Sequence, residues 1–210
     1  MAGGRAARGV AKVRIIAGVA RGQKLNAPKG MRVRPTADRV KEALFSIIAS
    51  RLGSFEGLRV LDIFAGTGNL GIEALSRGAG YALFIDSHRD SVTVLKQNLQ
   101  QVKLAEKAKV LAQDAVAALR AASVTEAPFD LVLLDPPYRQ GHAERVLEVL
   151  GASPLVSEET LVVAEFAKGE TIPVSFGRLQ EIDRRNYGDT VLSFLVLGTE
   201  ETEPEPSEVE

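Results

Sequence analysis

Residues 60–71 read VLDIFAGTGNLG. The apolar residues at the start of this segment are typical of a buried strand, and the three glycines indicate a turn that leads into a helix. A strand that passes through a glycine-rich turn into a helix commonly holds a nucleotide-like cofactor, because glycine lets the backbone approach a ligand closely. The segment therefore predicts an α/β fold with a cofactor site at the turn.

The glycine spacing leaves the cofactor open, and Asp62 favours one of two candidates. Gly66-x-Gly68-x-x-Gly71 also fits the fingerprint of a dinucleotide-binding loop, which is weak evidence by itself. A carboxylate at the strand end would repel the pyrophosphate of a dinucleotide, whereas it favours the ammonium and sulfonium groups of S-adenosylmethionine. We therefore expect S-adenosylmethionine, with Asp62 orienting the loop and the methionine part of the cofactor.

Two further acids follow predicted strands and are candidates for the adenosine part. Asp86 can accept hydrogen bonds from both ribose hydroxyls, or it can cap the helix that follows. Asp114 can accept from the adenine amine, can cap the next helix, or can do both. The predicted cofactor contacts are Asp62, Phe64, Ala65, Gly66, Thr67, Gly68, Asp86, Ser87, Asp114, Ala115 and Asp135.

The rest of the chain alternates short apolar runs with amphipathic segments, as in a parallel sheet covered by helices on both faces. We predict strands at 58–63, 81–85, 108–111, 129–134, 161–166, 174–183 and 190–197, with a turn at 186–189 between the last two. Helices are predicted at 69–77, 88–101, 115–122 and 143–150, and another begins after a cap at Thr36. The expected architecture is one domain over 13–199 with a seven-stranded, mostly parallel sheet.

Charge is distributed very unevenly along the chain. Residues 1–41 contain eleven Lys or Arg and one acid, and residues 200–210 contain six Glu. Such a basic block typically binds nucleic acid or anionic lipid, although a merely solubilising extension is the alternative. We expect a flexible basic extension at 1–12, a basic hairpin at 13–35 appended to the sheet, and a disordered acidic tail at 200–210. The candidate RNA contacts are Arg14, Arg21, Arg34, Arg39 and Tyr187.

Composition argues against several other classes of protein. There is no cysteine, and the two histidines, His88 and His142, lie far apart, so we expect no disulfide and no metal site. No apolar run approaches the roughly 20 residues that span a bilayer, and no secretory signal is recognisable. We expect a cytoplasmic monomer that does not bind membranes.

The segment Asp135-Pro136-Pro137-Tyr138 carries the predicted chemistry. It follows an unbroken apolar run at 131–134, which is typical of a central strand, and therefore lies at the sheet edge where ligands bind. An exocyclic base amine is a poor nucleophile because its lone pair is delocalised into the ring. Asp135 and the Pro136 carbonyl can accept its two N–H groups, the prolines stiffen the loop, and Tyr138 offers a ring to an extruded base. The alternative is a simple strand-terminating turn.

Several motifs together resemble a known family. They are residues 14–18, 21–22, 34–36, 38–40, 62–71, 135–138 and 187–189, and over about 13–197 the chain resembles the bacterial small-subunit rRNA guanine-N2 methyltransferases of the RsmD type. The resemblance implies a Rossmann-like class I methyltransferase fold, S-adenosylmethionine as donor and a guanine of 16S rRNA in the small subunit as acceptor. It also implies that Asp62, Gly66, Gly68, Asp86 and Asp114 contact the cofactor and that residues 135–138 hold the guanine amine. Asn69 departs from the pattern, because many members look to have a small residue there.

Other substrates remain to be weighed, because DNA adenine-N6 and protein glutamine methyltransferases share the tetrapeptide. The basic N-terminal segment argues against a protein substrate. The chain is too short for a separate target-recognition domain, which argues against sequence-specific DNA methylation. A non-catalytic RNA-binding assembly factor is a third alternative, and the intact tetrapeptide argues against it.

Overall fold

The structure is a computed structural model that describes residues 13–27 and 37–198. Its elements are α1 (Ala37–Leu52), β1 (Arg59–Ile63), α2 (Asn69–Ser76), β2 (Tyr81–Ile85), α3 (Arg89–Gln101), a 3₁₀ turn (Ala105–Lys107), β3 (Ala108–Leu111), α4 (Ala115–Thr125), β4 (Leu131–Leu134), α5 (His142–Gly151), β5 (Leu161–Ala167), β6 (Ser175–Phe176), β7 (Leu179–Tyr187) and β8 (Thr190–Leu197). None of these helices is long and apolar enough to span a bilayer. The predictions for 1–12, Arg34, Thr36 and 200–210 lie outside the described residues.

The described part of the chain forms one α/β sheet of eight strands in the order β3-β2-β1-β4-β5-β8-β7-β6. The first five are parallel, and β8, β7 and β6 continue the sheet in antiparallel pairings. The prediction of seven mostly parallel strands was wrong. The run at 174–183 is divided by a turn at Gly177, whose φ of 56° is readily adopted by glycine, and the two pieces pair with each other as β6 and β7.

The two faces of the sheet pack against different helices. Helices α4 and α5 cover one face and α1, α2 and α3 cover the other, each over its own apolar cluster. Strand β4 contributes Val132 and Leu134 to the first cluster and Leu131 and Leu133 to the second. Burial on both faces explains its unbroken apolar sequence, and it places the residues after Leu134 at the sheet edge.

Residues 13–27 form a small hairpin that packs on α2 and is not a strand of the central sheet. Its two arms meet in a single antiparallel bridge between Arg14 and Lys24. The Val19 N–H donates to the Ser76 carbonyl at 2.8 Å. Gly18 comes so close to that carbonyl that an added Cβ would lie 1.7 Å from its oxygen. The expected attachment to the sheet was therefore wrong, because the polar groups of α2 satisfy the hairpin backbone.

A buried ion pair holds this hairpin to the helices beneath it. Glu73 on α2 is fully buried and accepts from the N–H groups of Ile16 and Ala17 at 2.8 and 3.0 Å. The Lys41 ammonium lies 3.3 Å from Glu73 and donates to the Arg14 carbonyl at 2.7 Å. Burial lowers the pKa of Lys41, and the Glu73 carboxylate opposes that shift. A carboxylate and an ammonium that are both out of water depend on each other for their charge.

We expect Glu73→Gln to lower the free energy of unfolding by about 3 kcal/mol or more, because it leaves the Lys41 ammonium buried without a full counter-charge. Asp38→Asn is the matched control, since the Asp38–Arg14 pair is partly exposed and should contribute less than about 1 kcal/mol. Urea unfolding of both variants measures the difference. Equal losses in the two variants would show that the buried ion pair contributes no more to the free energy of unfolding than the partly exposed pair does.

Candidate cofactor and acceptor site

A cavity of about 580 Å³ opens at the carboxyl ends of the parallel strands. Such a volume suits a ligand of nucleoside size. It brings together the glycine loop, the end of β2, the residues after β4, and parts of α1, β5 and β8. The lining residues are Val13, Val40, Lys41, Leu44, Phe64, Ala65, Gly66, Thr67, Asn69, Leu70, Asp86, His88, Ser91, Asp135, Pro136, Pro137, Tyr138, Glu165 and Thr190.

Asp62 fixes the glycine loop from below. Its buried carboxylate accepts from the Gly71 N–H at 2.8 Å and so closes the loop between β1 and α2. Burial raises the pKa of Asp62 to about 7, the hydrogen bond from Gly71 opposes the rise, and the nearby Asp86 adds to it. Asp62 does not line the cavity, so the expected orientation of the methionine part stays a prediction while its contact with the loop is observed.

Asp86 forms part of the cavity wall where β2 ends. One carboxylate oxygen accepts from the Gly66 N–H and the other from the His88 N–H, both at 2.7 Å. The second bond comes from His88, which is itself the N-cap of α3, so Asp86 does not cap the helix as the alternative from the sequence had it. An ionised carboxylate offers about four acceptor positions, so these two bonds leave capacity for ribose hydroxyls.

The residues present fit S-adenosylmethionine. Gly66 lines the cavity with a φ of 55°, and an added Cβ would meet no surrounding protein atom closer than 4.0 Å. The space beside the loop backbone is therefore left to a ligand. The Asp86 carboxylate in the cavity wall supplies acceptors for the ribose hydroxyls of a nucleoside.

The predicted cofactor residues divide into two groups. Phe64, Ala65, Gly66, Thr67, Asp86 and Asp135 line the cavity, whereas Asp62, Gly68, Ser87, Asp114 and Ala115 do not. Gly68 packs tightly against α3, because a Cβ there would lie 2.3 Å from Leu95. Asp114 caps α4 by accepting from the Ala117 N–H at 3.1 Å, which is one of the roles weighed for it. Contact of the second group with the cofactor remains a prediction.

The tetrapeptide 135–138 lines the same cavity. The Asp135 N–H reaches the Ile63 carbonyl at 3.4 Å, which places Asp135 beside the glycine loop. Asp135 and Pro137 are exposed, Pro136 is buried and Tyr138 is half-buried. The Tyr138 hydroxyl donates a short hydrogen bond to Glu165. Burial and that carboxylate raise the pKa of Tyr138, so its hydroxyl stays protonated and remains a donor.

Sequence reasoning missed several cavity residues, notably Lys41, Asn69, Glu165 and Thr190. Lys41 lies on the same buried face of α1 as Leu44 and Ile48. A lysine is unusual on such an apolar helix face. Its ammonium donates to the Asn69 side chain at 2.7 Å, so the residue that departs from the family pattern has a partner. Glu165 interrupts an otherwise apolar strand. A charged residue inside an apolar pattern was the available signal in both cases.

The described candidates for RNA contact do not line the cavity. Arg14, Arg21 and Arg39 are exposed, and Arg14 pairs with Asp38 at 2.9 Å. Tyr187 is half-buried at the end of β7 against the apolar cluster beneath α1. The side chains of the three arginines are therefore accessible to a binding partner, whereas part of the Tyr187 side chain packs against the protein.

Comparisons with known proteins show the family to which this chain belongs. The family described as "Conserved hypothetical protein 95" matches residues 13–196. The chain belongs to this family. A Bacillus subtilis protein, YlbH, provisionally named an rRNA methyltransferase, is 37% identical over 85% of this chain and 95% of its own length. The Escherichia coli protein named ribosomal RNA small subunit methyltransferase D is 37% identical over 75% of this chain and 76% of its own.

A solved structure is also similar to this member of the Conserved hypothetical protein 95 family. It is the Escherichia coli protein yhhF, provisionally described as a methyltransferase, with a TM-score of 0.76 and 32% identity over 89% of this chain and 98% of its own. The resemblance inferred from the sequence is confirmed. The chain is a methyltransferase.

We expect the stability of the cofactor-free protein to depend on Asp62 ionisation. Because the folded pKa is raised from 3.8 to about 7, the folded state holds an extra proton between these values and unfolding releases it. Wild-type stability should therefore fall by about 2–3 kcal/mol relative to Asp62→Asn as pH rises from 5 to 8, with the loss ending just above pH 7. Urea unfolding of both proteins across this range measures it. A pH-independent difference would contradict the raised pKa.

Proposed function

We propose that this protein transfers the methyl group of S-adenosylmethionine to the exocyclic N2 amine of a guanine in 16S rRNA. The observation that carries the proposal is the shared cavity, which brings the Gly66 loop and Asp86 together with residues 135–138. The rRNA acceptor is supported by the names of the two relatives described above. The small ribosomal subunit in the cytoplasm is the proposed setting, and a monomer is the proposed active form.

The acceptor residues can compensate for the poor nucleophilicity of the exocyclic amine. S-adenosylmethionine held beside Gly66 and Asp86 would supply an electrophilic methyl group, with S-adenosylhomocysteine as the leaving group. The Asp135 carboxylate and the Pro136 carbonyl accept the two N–H groups of the amine, which directs the nitrogen lone pair towards the methyl group. As the nitrogen acquires positive charge it loses one proton, and Asp135 is the acceptor within reach. Pro136 and Pro137 limit the motion of these acceptors.

Base extrusion accounts for the remaining features of the pocket. The guanine must leave its stack to reach a cavity at a sheet edge. Tyr138 provides a half-buried ring whose hydroxyl is anchored to Glu165, so the ring is held in place as a stacking surface. A side chain that is already ordered loses little entropy when the base arrives.

Exposed arginines near the cavity are the candidates for RNA docking. Val13 and Val40 line the cavity, and each is next in sequence to an exposed arginine, Arg14 and Arg39. Arg21 is a further exposed cation on the hairpin loop, which packs at the C-terminal end of α2 and would bind RNA farther from the cavity. Phosphates bound to these side chains would hold an extruded guanine close to Asp135. This arrangement supports RNA docking by the proposed segment 13–35 of a single domain over 13–199.

We expect Asp135→Ala to lower the rate of methyl transfer at least about 100-fold while the affinity for S-adenosylhomocysteine stays within about threefold of wild type, because Asp135 acts on the amine. The assay incubates the enzyme with labelled cofactor and small subunits and identifies the product as N2-methylguanosine by nucleoside analysis. Calorimetry follows cofactor affinity. Loss of both activity and cofactor binding would instead assign Asp135 a structural role.

We expect a protein carrying both Arg21→Ala and Arg39→Ala to bind RNA with a flatter salt dependence, because each lost phosphate contact removes roughly 0.7–0.9 from the log–log slope. Arg120→Ala is the matched control, since Arg120 is exposed on α4 across the sheet. Binding titrations at several salt concentrations measure the slopes. A slope unchanged by the double substitution would remove this surface from RNA docking.

A further inference from the structure

Glu165 is a carboxylate in a strand that otherwise has no charged residue. Strand β5 reads LVVAEFA, lies between β4 and β8, and is buried at every position except this half-buried one. Placing a carboxylate there is unfavourable unless it has polar partners. Glu165 lines the cavity, yet neither cofactor binding nor methyl transfer as described above requires it. Its position calls for a separate explanation.

The register of the sheet puts Glu165 next to the group that accepts the guanine amine. Strands β4 and β5 are parallel, and Leu134 pairs with Ala164. Asp135 is the residue after β4, and Glu165 is the next residue of β5, which continues to Ala167, so the two occupy neighbouring positions on adjacent strands. Both belong to the same cavity, so a base whose amine is held by Asp135 presents the neighbouring atoms of its edge to Glu165.

Two hydroxyl groups hold the Glu165 carboxylate in place. The Tyr138 hydroxyl donates to it, and the Thr190 hydroxyl donates to the same oxygen at 3.4 Å. Hydroxyl donors favour the ionised form of a carboxyl group and fix its orientation. Both of these bonds fall on the same carboxylate oxygen, and a carboxylate has about four acceptor positions over its two oxygens. Glu165 is therefore an oriented acceptor at the acceptor-base end of the cavity.

The two amino-purines differ at the atom that faces such a group. In guanine the ring nitrogen beside the exocyclic amine, N1, carries a hydrogen and is a donor. In adenine the ring nitrogen beside the amine carries a lone pair and is an acceptor. Enzymes read an extruded base through these edge atoms. A carboxylate beside the amine-binding group would bind the first arrangement and repel the second.

We propose that Glu165 determines base specificity by accepting the N1–H of guanine, next to the amine held by Asp135 and Pro136. The proposal rests on the proposed function, since it concerns the base that enters the same site. Thr190 is a positioning residue, because it contacts Glu165 through its hydroxyl and acts on the base only through that carboxylate. The rival explanation is that Glu165 merely anchors the Tyr138 ring.

The experiment separates these explanations in two stages. In the first, wild-type enzyme methylates small-subunit RNA, and mass analysis locates the methylated guanine. In the second, the same RNA is prepared with 2-aminopurine at that position, which keeps the 2-amino group but has no hydrogen on N1. The measured quantity is the ratio of kcat/KM for guanine to kcat/KM for 2-aminopurine. 2-Aminopurine also lacks the O6 atom of guanine. This loss affects wild type and the Glu165 variant alike, so the change in the ratio between the two enzymes reports on Glu165.

We expect wild type to prefer guanine by at least about 100-fold, as for a site built to bind an N–H group. Glu165→Gln should lower the ratio below about tenfold, because an amide can donate to the bare nitrogen. Tyr138→Phe removes one of the two hydroxyl bonds to Glu165 and should lower both rates, while the carboxylate still accepts N1–H and is still held by Thr190, so the ratio stays well above that of Glu165→Gln. If Glu165→Gln fails to bind S-adenosylhomocysteine, Glu165→Asp replaces it, and the shorter carboxylate should also lower the ratio.

The outcomes are distinct. A wild-type ratio retained in the Glu165 variant, with both rates reduced equally, would overturn the proposal and leave Glu165 as an anchor for Tyr138. A wild type that shows no preference for guanine would overturn it as well. Failure of the first stage, with no methylated guanine formed, would refute the proposed function and the specificity proposal together.

Discussion

The hydrogen bond from the Gly71 N–H to the buried Asp62 carboxylate sets the path of the loop on which the site is built. It closes the turn between β1 and α2, and the bond from the Gly66 N–H to Asp86 fixes the same loop against β2. The space above the loop is then defined by backbone rather than by movable side chains. Burial makes the Asp62 charge costly and raises the pKa of its carboxyl group.

The loop is coupled to the N-terminal hairpin by buried polar groups. Lys41 joins the Arg14 carbonyl to the Asn69 side chain at the start of α2. Asn98 on α3 makes a parallel connection, since its side chain bonds both the backbone of Asn26 and the Thr67 carbonyl. The proposed RNA-docking segment and the cofactor loop therefore share partners. A displacement of one would disturb hydrogen bonds of the other, which ties docking geometry to the position of the methyl donor.

Much of this arrangement could be predicted from local patterns. Continuous apolar runs predicted β4 and its neighbours, and acids after strand ends indicated Asp86 and Asp135, because parallel strands present their carboxyl ends at one edge. The division of 174–183 is a local turn at Gly177, and the glycine was an overlooked signal. The docking of the hairpin on α2 could not be predicted, because it depends on contacts between residues distant in sequence. Lys41 and Glu165 were overlooked for the same reason: each occupies an apolar pattern, and only the fold shows the partners that stabilise its charge.

One cavity is expected to align the methyl donor with the acceptor residues. A crystal structure with bound S-adenosylhomocysteine tests it most directly. The account predicts that the ribose hydroxyls contact the Asp86 carboxylate and that the sulfur faces the space beside Asp135 and the Pro136 carbonyl. A ligand bound elsewhere, or one whose sulfur points away from Asp135, would contradict it.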